Sequence, residues 1–335
     1  MTEQVLLEVR GLKKYFPVEA GFLMRKVADL KAVDDVSFKI NKGESVGLVG
    51  ESGCGKTTVG RSVLRLIEPT EGEILFEGKD IVDLGKNDLQ SIRSRMQLIF
   101  QDPYSSLNPR LTVGDIITEP LLIHGLAEKN EINERITRLM LDVGLSPSQS
   151  RRYPHEFSGG QKQRISIARA LAVVPSFIVA DEPVAALDMS IRAQILNLMK
   201  DLQDKYDLTY LIISHDLTVI KHMCNRIMVM YLGSLVEVAT RESLFKRPYH
   251  PYSFALISAI PIPDPLIKPN KIILTGDVPT PINPPSGCKF HPRCSYAKSR
   301  CSEEIPALEE IEEGHFVACH FARELAPPEG SIVDF

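Results

Sequence analysis

Short uninterrupted apolar runs recur through roughly the first 240 residues and alternate with segments of helical spacing. The runs include Val46-Gly47-Leu48-Val49, Gln97-Leu98-Ile99-Phe100, Phe177-Ile178-Val179-Ala180 and Tyr210-Leu211-Ile212-Ile213. Runs of this length suit strands buried on both faces of a parallel sheet, so the pattern predicts an α/β fold. Ile132, Ile136, Leu139, Met140 and Val143 stand at helical spacing and predict a helix within 131–145. That helix belongs to a helical insertion between about 102 and 158. From Pro248 the texture changes: Pro261, Pro263, Pro265, Pro269, Pro279, Pro281, Pro284 and Pro285 follow in quick order. Proline removes backbone donors and stops helices. The region therefore reads as an extended linker or a small irregular domain, with a boundary near residue 261. No internal repeat is visible.

Composition alters this picture little. The 335 residues are 44% apolar and 24% charged, ordinary values for a globular chain with room for one large domain and a smaller one. A net charge of −4 gives no general push toward nucleic acid, so no nucleic-acid partner is expected. No apolar run is long enough to cross a bilayer, and the opening MTEQVLLEVRGLKKYF lacks the basic-then-apolar order of a signal peptide. A cytosolic location is expected, with any membrane role exerted through a partner. The cysteines change more. Cys54 and Cys224 lie early, whereas Cys288, Cys294, Cys301 and Cys319 crowd the last fifty residues as C-x5-C-x6-C-x17-C. In a cytosolic chain such a cluster suggests a metal or cofactor site before disulfides. Four thiolates can hold a [4Fe–4S] cluster or a structural zinc, though zinc ribbons favour closer pairs.

The candidate chemistry begins at Gly50-Glu51-Ser52-Gly53-Cys54-Gly55-Lys56-Thr57, which fits G-x-x-x-x-G-K-[ST]. A strand-like run (Ser45–Val49) leads in and helix-like Thr58–Leu66 follows. Gly50, Gly53 and Gly55 let the backbone curl so that successive N–H groups, with those of Ser52, Cys54 and Thr58, face one phosphate chain. The helix start adds a positive dipole end. Lys56 is placed to reach the β- and γ-phosphates of ATP, and Thr57 to offer its hydroxyl to Mg²⁺. The alternative is a glycine-rich turn that binds nothing. Further on, the strand Phe177–Ala180 ends in Asp181 and Glu182. Asp181 suits the Mg²⁺ shell, and Glu182 suits a general base that polarises the attacking water. A solvated acidic strand end is the bland reading.

Residues 158–164 read Ser-Gly-Gly-Gln-Lys-Gln-Arg, preceded by Phe157 where leucine is usual. Lying between the phosphate loop and the acid pair, this stretch resembles the signature of the ABC-transporter ATPases over about residues 5–260. The resemblance implies a P-loop NTPase (RecA-like) core with an antiparallel β subdomain and a helical subdomain. It implies that Ser158, Gly159, Gly160 and Gln161 cap the γ-phosphate of ATP held by a second ATPase subunit. A plain serine N-cap is the alternative there. Gln101 matches the glutamine that senses Mg²⁺ and water beside the permease contact. His215 matches the switch histidine at the γ-phosphate, and Asp188 matches the loop crossing between subunits, with Ala185 where serine is usual. Tyr15 matches the aromatic that stacks on adenine, or is a half-buried strand tyrosine.

Gln101-Asp102-Pro103-Tyr104-Ser105-Ser106-Leu107-Asn108-Pro109-Arg110 is similar to the same segment of oligopeptide and dipeptide importer ATPases. So are Arg247–Tyr252 followed by Ala259-Ile260-Pro261, and Asn283–Cys288 leading to Phe290–Cys294. The resemblance now covers nearly the whole chain and is nearer the second of two paired ATPase subunits. It implies a cassette at 1–260 and a cysteine-rich extension at 261–335. It also implies an iron–sulfur cluster at Cys288, Cys294, Cys301 and Cys319, with zinc as the alternative. The expected partners are transmembrane permease subunits, a second homologous ATPase subunit in a heterodimer or homodimer, and indirectly an extracytoplasmic peptide-binding protein. The expected place is the cytoplasmic face of the plasma membrane, peripherally. Nickel or oligosaccharide cargo remains an alternative to peptide, and a soluble non-transport ATPase a further one.

Overall fold

A computed structural model describes residues 4–21, 25–126, 131–261 and 270–328. Pro263, Pro265 and Pro269 lie outside the described residues. The strands are β1 (Val5–Ala20), β2 (Arg25–Asn41), β3 (Ser45–Val49), β4 (Glu71–Phe76), β5 (Lys79–Asp80), β6 (Met96–Ile99), β7 (Phe177–Asp181), β8 (Thr209–Ser214), β9 (Arg226–Tyr231), β10 (Ser234–Thr240), β11 (Glu309–Glu312) and β12 (His315–Val317). The chain separates into two compact units, each built from distant segments. One comprises Met1–Leu7, Lys39–Ser45 and Leu75–Ile213; the other comprises Glu8–Phe38, Val46–Ile74 and Ser214–Phe335.

In the first unit β6, β7 and β8 run parallel, with Ile99 level with Ala180 and Asp181 level with Ile213. Phe177, Ile178, Val179 and Ala180 are fully buried, as are Leu211, Ile212 and Ile213. Full burial on both faces explains why these runs carry no polar alternation. Each buried aliphatic side chain contributes roughly 1.5–3 kcal/mol relative to exposure. The expected helix within 131–145 spans Ile132–Asp142 and buries Ile136, Leu139 and Met140. It ends where Gly144 takes a φ of 71° and the Leu145 N–H turns back to the Met140 carbonyl at 2.8 Å. Helix Gly159–Leu171 is packed so tightly that a Cβ on Gly160 would stand 2.5 Å from Ile191.

In the second unit β9 pairs with β3 in parallel and with β10 antiparallel. The structure departs from the expected irregular C-terminal region at two places. Pro251–Ser258 is a helix, started by proline at its first position and by His250, whose Nδ1 accepts from the Tyr252 N–H at 3.1 Å. Further on, β11 and β12 form a hairpin around Gly314 (φ 68°), and β12 pairs antiparallel with β10. The hairpin is hard to see in sequence because β11 reads Glu-Glu-Ile-Glu. Charge on an outermost strand discourages further pairing but erases the alternation that would announce it.

A bulge between Leu235 and Glu237 brings a carboxylate into the core beside this hairpin. Glu237 is fully buried, and its oxygens accept from the N–H groups of Tyr249 at 2.7 Å and His250 at 3.0 Å. The ring of His315, also buried, stands with Nε2 2.7 Å from the same carboxylate. Removing the carboxylate strands three buried polar groups, each worth about 1–3 kcal/mol unsatisfied. Glu237→Ala is expected to cost about 3 kcal/mol or more, read as a lowered urea midpoint, with Glu237→Gln losing much less. Equal midpoints for wild type and Glu237→Ala would refute this anchoring.

Candidate functional site

The phosphate loop belongs to the second unit and connects β3 to helix Lys56–Val63. Gly50, Gly53 and Gly55 all have positive φ, at 156°, 80° and 107°. Gly55 and Gly50 are required on a second ground. A Cβ on Gly55 would fall 2.0 Å from the Ala32 carbonyl oxygen, and one on Gly50 would fall 2.2 Å from that of Met230. No side chain caps the helix at Gly55, and a helix start built this way suits an anion. Ser52 and Gly53 are exposed at the tip of the loop, and Thr57 and Thr58 lie in the first helical turn. Lys56 is buried, and its ammonium donates to the carbonyls of Gly50 at 2.8 Å and Glu51 at 2.9 Å. Cys54 packs inside the loop, and burial raises its thiol pKa above the ordinary value.

Tyr15, on β1, is half-buried. Its hydroxyl donates to Asp34 at 2.5 Å, and the Lys31 ammonium stands 5.6 Å from its ring centroid. Burial works against ionisation of Asp34, but hydrogen bonds from Lys289 and Tyr15 outweigh it and hold the carboxyl below its usual range. His215 is exposed one residue past β8.

The acid pair, the signature and Gln101 belong to the first unit. Asp181 ends β7 and is 3% exposed; Glu182 is buried and has a φ of 49°. A non-glycine residue in the left-handed region is held there by its surroundings. Here the Glu182 N–H donates to the Ile213 carbonyl at 2.9 Å, and its own carbonyl accepts from Ala185 at 3.2 Å. β6 ends at Ile99, level with Ala180 of β7, so exposed Gln101 and Glu182 both follow the C-terminal ends of neighbouring parallel strands. Arg192 donates to the carbonyls of Leu187 at 2.7 Å and Ala185 at 3.2 Å, which shapes the loop carrying exposed Asp188.

Ser158 caps helix Gly159–Leu171 in a capping box: its N–H donates to Gln161 at 3.0 Å, and its hydroxyl accepts from the Gln161 N–H at 3.4 Å. The simple capping role is therefore real, and it leaves Ser158 exposed. Tyr104 lies beside this helix start, with its ring 4.1 Å from the Lys162 ammonium.

Cys288, Cys294, Cys301 and Cys319 line a single pocket with His250, Phe290 and other apolar neighbours. Burial raises all three shifted thiols: Cys288 above its usual value, Cys294 to about 11 and Cys319 to about 12. Among the described residues no three His, Cys, Asp or Glu side chains gather closely enough to hold a metal ion. That grouping supports neither the expected iron–sulfur cluster nor its zinc alternative.

Sequence reading missed two cations, Lys289 and Arg293, between Cys288 and Cys294. Arg293 forms a two-pronged ion pair with Glu51 of the phosphate loop, at 2.7 and 3.0 Å. Lys289 reaches Asp34 at 2.8 Å. The partners are 242 and 255 residues apart, and no local spacing announces such contacts.

Comparison with known proteins agrees with the motifs. The family model described as ABC transporter matches residues 33–185, and that described as oligopeptide/dipeptide transporter, C-terminal region, matches 236–301. The oligopeptide transport ATP-binding protein AppF of Bacillus subtilis (strain 168) is 52% identical, over 95% of this chain and 98% of AppF. A putative peptide import ATP-binding protein of Brucella ovis is 54% identical, over 95% of this chain and 98% of its own length. Among solved structures, the ATP-binding cassette MJ0796, seen as a dimer bound to ADP and Pi, superposes with a TM-score of 0.62 at 28% identity. It covers 70% of this chain and 98% of the cassette. With the motif order, the glycine-built loop and this full-length similarity agreeing, the chain belongs to the ABC transporter family, as an ATPase subunit of the oligopeptide/dipeptide group.

Proposed function

We propose that this chain binds and hydrolyses ATP to drive import of di- and oligopeptides through membrane permease partners. The observation that carries the reading is the conjunction in one chain of an uncapped, glycine-cradled phosphate loop and the C-terminal region of the oligopeptide/dipeptide transporters. Among the described residues no helix is long and apolar enough to cross a membrane. The chain acts from the cytoplasmic face as a peripheral subunit, and an extracytoplasmic peptide-binding protein supplies the cargo. The cassette ends near residue 261, and the helical subdomain of about 102–158 meets the permease.

The roles follow from the chemistry of each group. The loop N–H groups of Gly50–Thr58 and the Lys56 ammonium bind the phosphates, and Tyr15 stacks on adenine. Thr57, Asp181 and Gln101 hold Mg²⁺, which neutralises charge on the phosphates. Glu182 accepts the proton of the attacking water, and His215 contacts the γ-phosphate. Ser158, Gly159, Gly160 and Gln161, with Asp188, act on ATP bound to a second, homologous subunit; a heterodimer is the favoured pairing. Closure on ATP is driven by charge-assisted contacts to the γ-phosphate, and hydrolysis removes them.

Cys288, Cys294, Cys301 and Cys319 would hold a [4Fe–4S] cluster. The four cysteines line one pocket, and thiolates are the ligands such a cluster takes. Bound, it would supply a covalent cross-link to a proline-rich region with little core of its own.

In vesicles containing this chain and its permease partners, ATP is expected to drive uptake of a labelled tripeptide. Uptake of nickel or of oligosaccharide instead would overturn the peptide reading, and failure to associate with any permease would overturn the transport reading. Glu182→Gln should lower phosphate release by about 10²-fold or more while ATP binding persists. A wild-type rate would remove the base assignment. Lys56→Ala should weaken a fluorescent ATP analogue at least about tenfold, a loss of about 1.4 kcal/mol. Protein purified without oxygen should show a broad visible band and equal iron and sulfide, lost in Cys294→Ala. Stoichiometric zinc without sulfide would exclude the cluster.

A further inference from the structure

Glu51 places a carboxylate within a loop read as phosphate-binding, where its charge opposes that of the anion. Each of its polar groups is engaged within the second unit. Its N–H donates to the Tyr252 hydroxyl oxygen at 2.8 Å, and its carbonyl accepts from Lys56 at 2.9 Å. Its carboxylate is gripped by both terminal nitrogens of Arg293. The Arg293 side chain is 7% exposed and that of Glu51 29%, so solvent reaches the pair from the carboxylate side only, and two parallel hydrogen bonds fix its orientation. Around it Tyr231 packs edge to face on Tyr252 and Phe290, with centroids 4.8 and 5.2 Å apart, and Tyr252 meets Phe290 tilted at 5.5 Å.

Lys289 makes the corresponding contact toward Tyr15. Its ammonium donates to Asp34 at 2.8 Å, to the Ser234 hydroxyl at 2.6 Å and to the Leu232 carbonyl at 3.2 Å. All three donors are thereby used, and Asp34 is held where it accepts the Tyr15 hydroxyl. Both cations, with Phe290, lie in the five residues between Cys288 and Cys294. That short segment therefore touches the phosphate loop at one end and the support of Tyr15 at the other.

We infer that Arg293 and Lys289 are positioning residues for nucleotide binding, Arg293 neutralising and orienting Glu51 in the phosphate loop and Lys289 fixing Tyr15 through Asp34. When Lys56 turns from the Gly50 and Glu51 carbonyls to the phosphates, the loop loses its internal strap. Arg293 and Tyr252 then keep Glu51 in place, and Arg293 cancels the charge that would face the triphosphate. The inference rests on the reading that residues 50–57 bind nucleotide phosphates.

The test is titration of the full chain with a fluorescent ATP analogue, alongside KM and kcat for hydrolysis and a thermal melt. Arg293→Ala is expected to weaken binding about tenfold and raise KM similarly, with kcat changed less than about twofold. Adding Glu51→Gln to Arg293→Ala should restore most of the affinity, because the uncompensated carboxylate is gone; a merely structural role gives no such rescue. Should Arg293→Ala fail to fold, Arg293→Lys keeps the charge but not the two-pronged geometry and should weaken binding by a smaller factor. Lys289→Gln should weaken the adenine nucleotide but not inorganic triphosphate. Unchanged affinity in Arg293→Ala, or a loss that Glu51→Gln does not relieve, would overturn the proposal if Lys56→Ala still weakens binding. If Lys56→Ala leaves binding intact, the phosphate-loop reading itself fails and the inference with it.

Discussion

The close approach of the phosphate loop to the backbone at Ala32 and Met230 is the constraint on which the second unit's chemistry depends. At Gly55 and Gly50 the space a Cβ would need is taken by carbonyl oxygens, and backbone oxygens cannot swing aside as a flexible side chain can. The loop is therefore held in one curl before any ligand arrives. Its helix begins without a side-chain cap, a start that suits an anion. Preorganisation of this kind removes the cost of ordering the loop at the moment of binding.

The first unit follows a different logic. Its parallel strands are buried on both faces, so polar groups appear only where the strands end. That places Asp181, Glu182 and Gln101 at or just past the C-terminal ends of neighbouring strands. The left-handed backbone at Glu182 is maintained by hydrogen bonds on both sides of the residue. Ser158 shows how a structural role and a proposed functional one share a residue. The capping box engages the N–H groups of Ser158 and Gln161 locally, while those of Gly159 and Gly160 lie between them at the helix start.

The C-terminal region was the least legible part of the chain. Proline density suggests a loss of regular elements, yet it conceals the helix Pro251–Ser258 and the hairpin that pairs with β10. The helix is short, and the outer strand is mostly glutamate, so neither shows a strong period. Glu237 is a comparable case. A lone glutamate in an apolar strand looks like a solvent-facing position, but a bulge turns it into the core, where His315 and two backbone donors satisfy it.

What the sequence determined by itself was the chemistry that depends on neighbours a few residues away. Gly50–Thr57 curls because its own glycines allow it, Phe177–Glu182 is a buried strand ending in acids, and Ser158–Gln161 caps its own helix. Tertiary structure alone decided that the segment between Cys288 and Cys294 would reach Glu51 and Asp34. Those contacts join residues more than two hundred positions apart through the packing of Tyr231, Tyr252 and Phe290. Packing of that kind arises from burial of shape, which leaves no periodic or motif-like trace in the order of the residues.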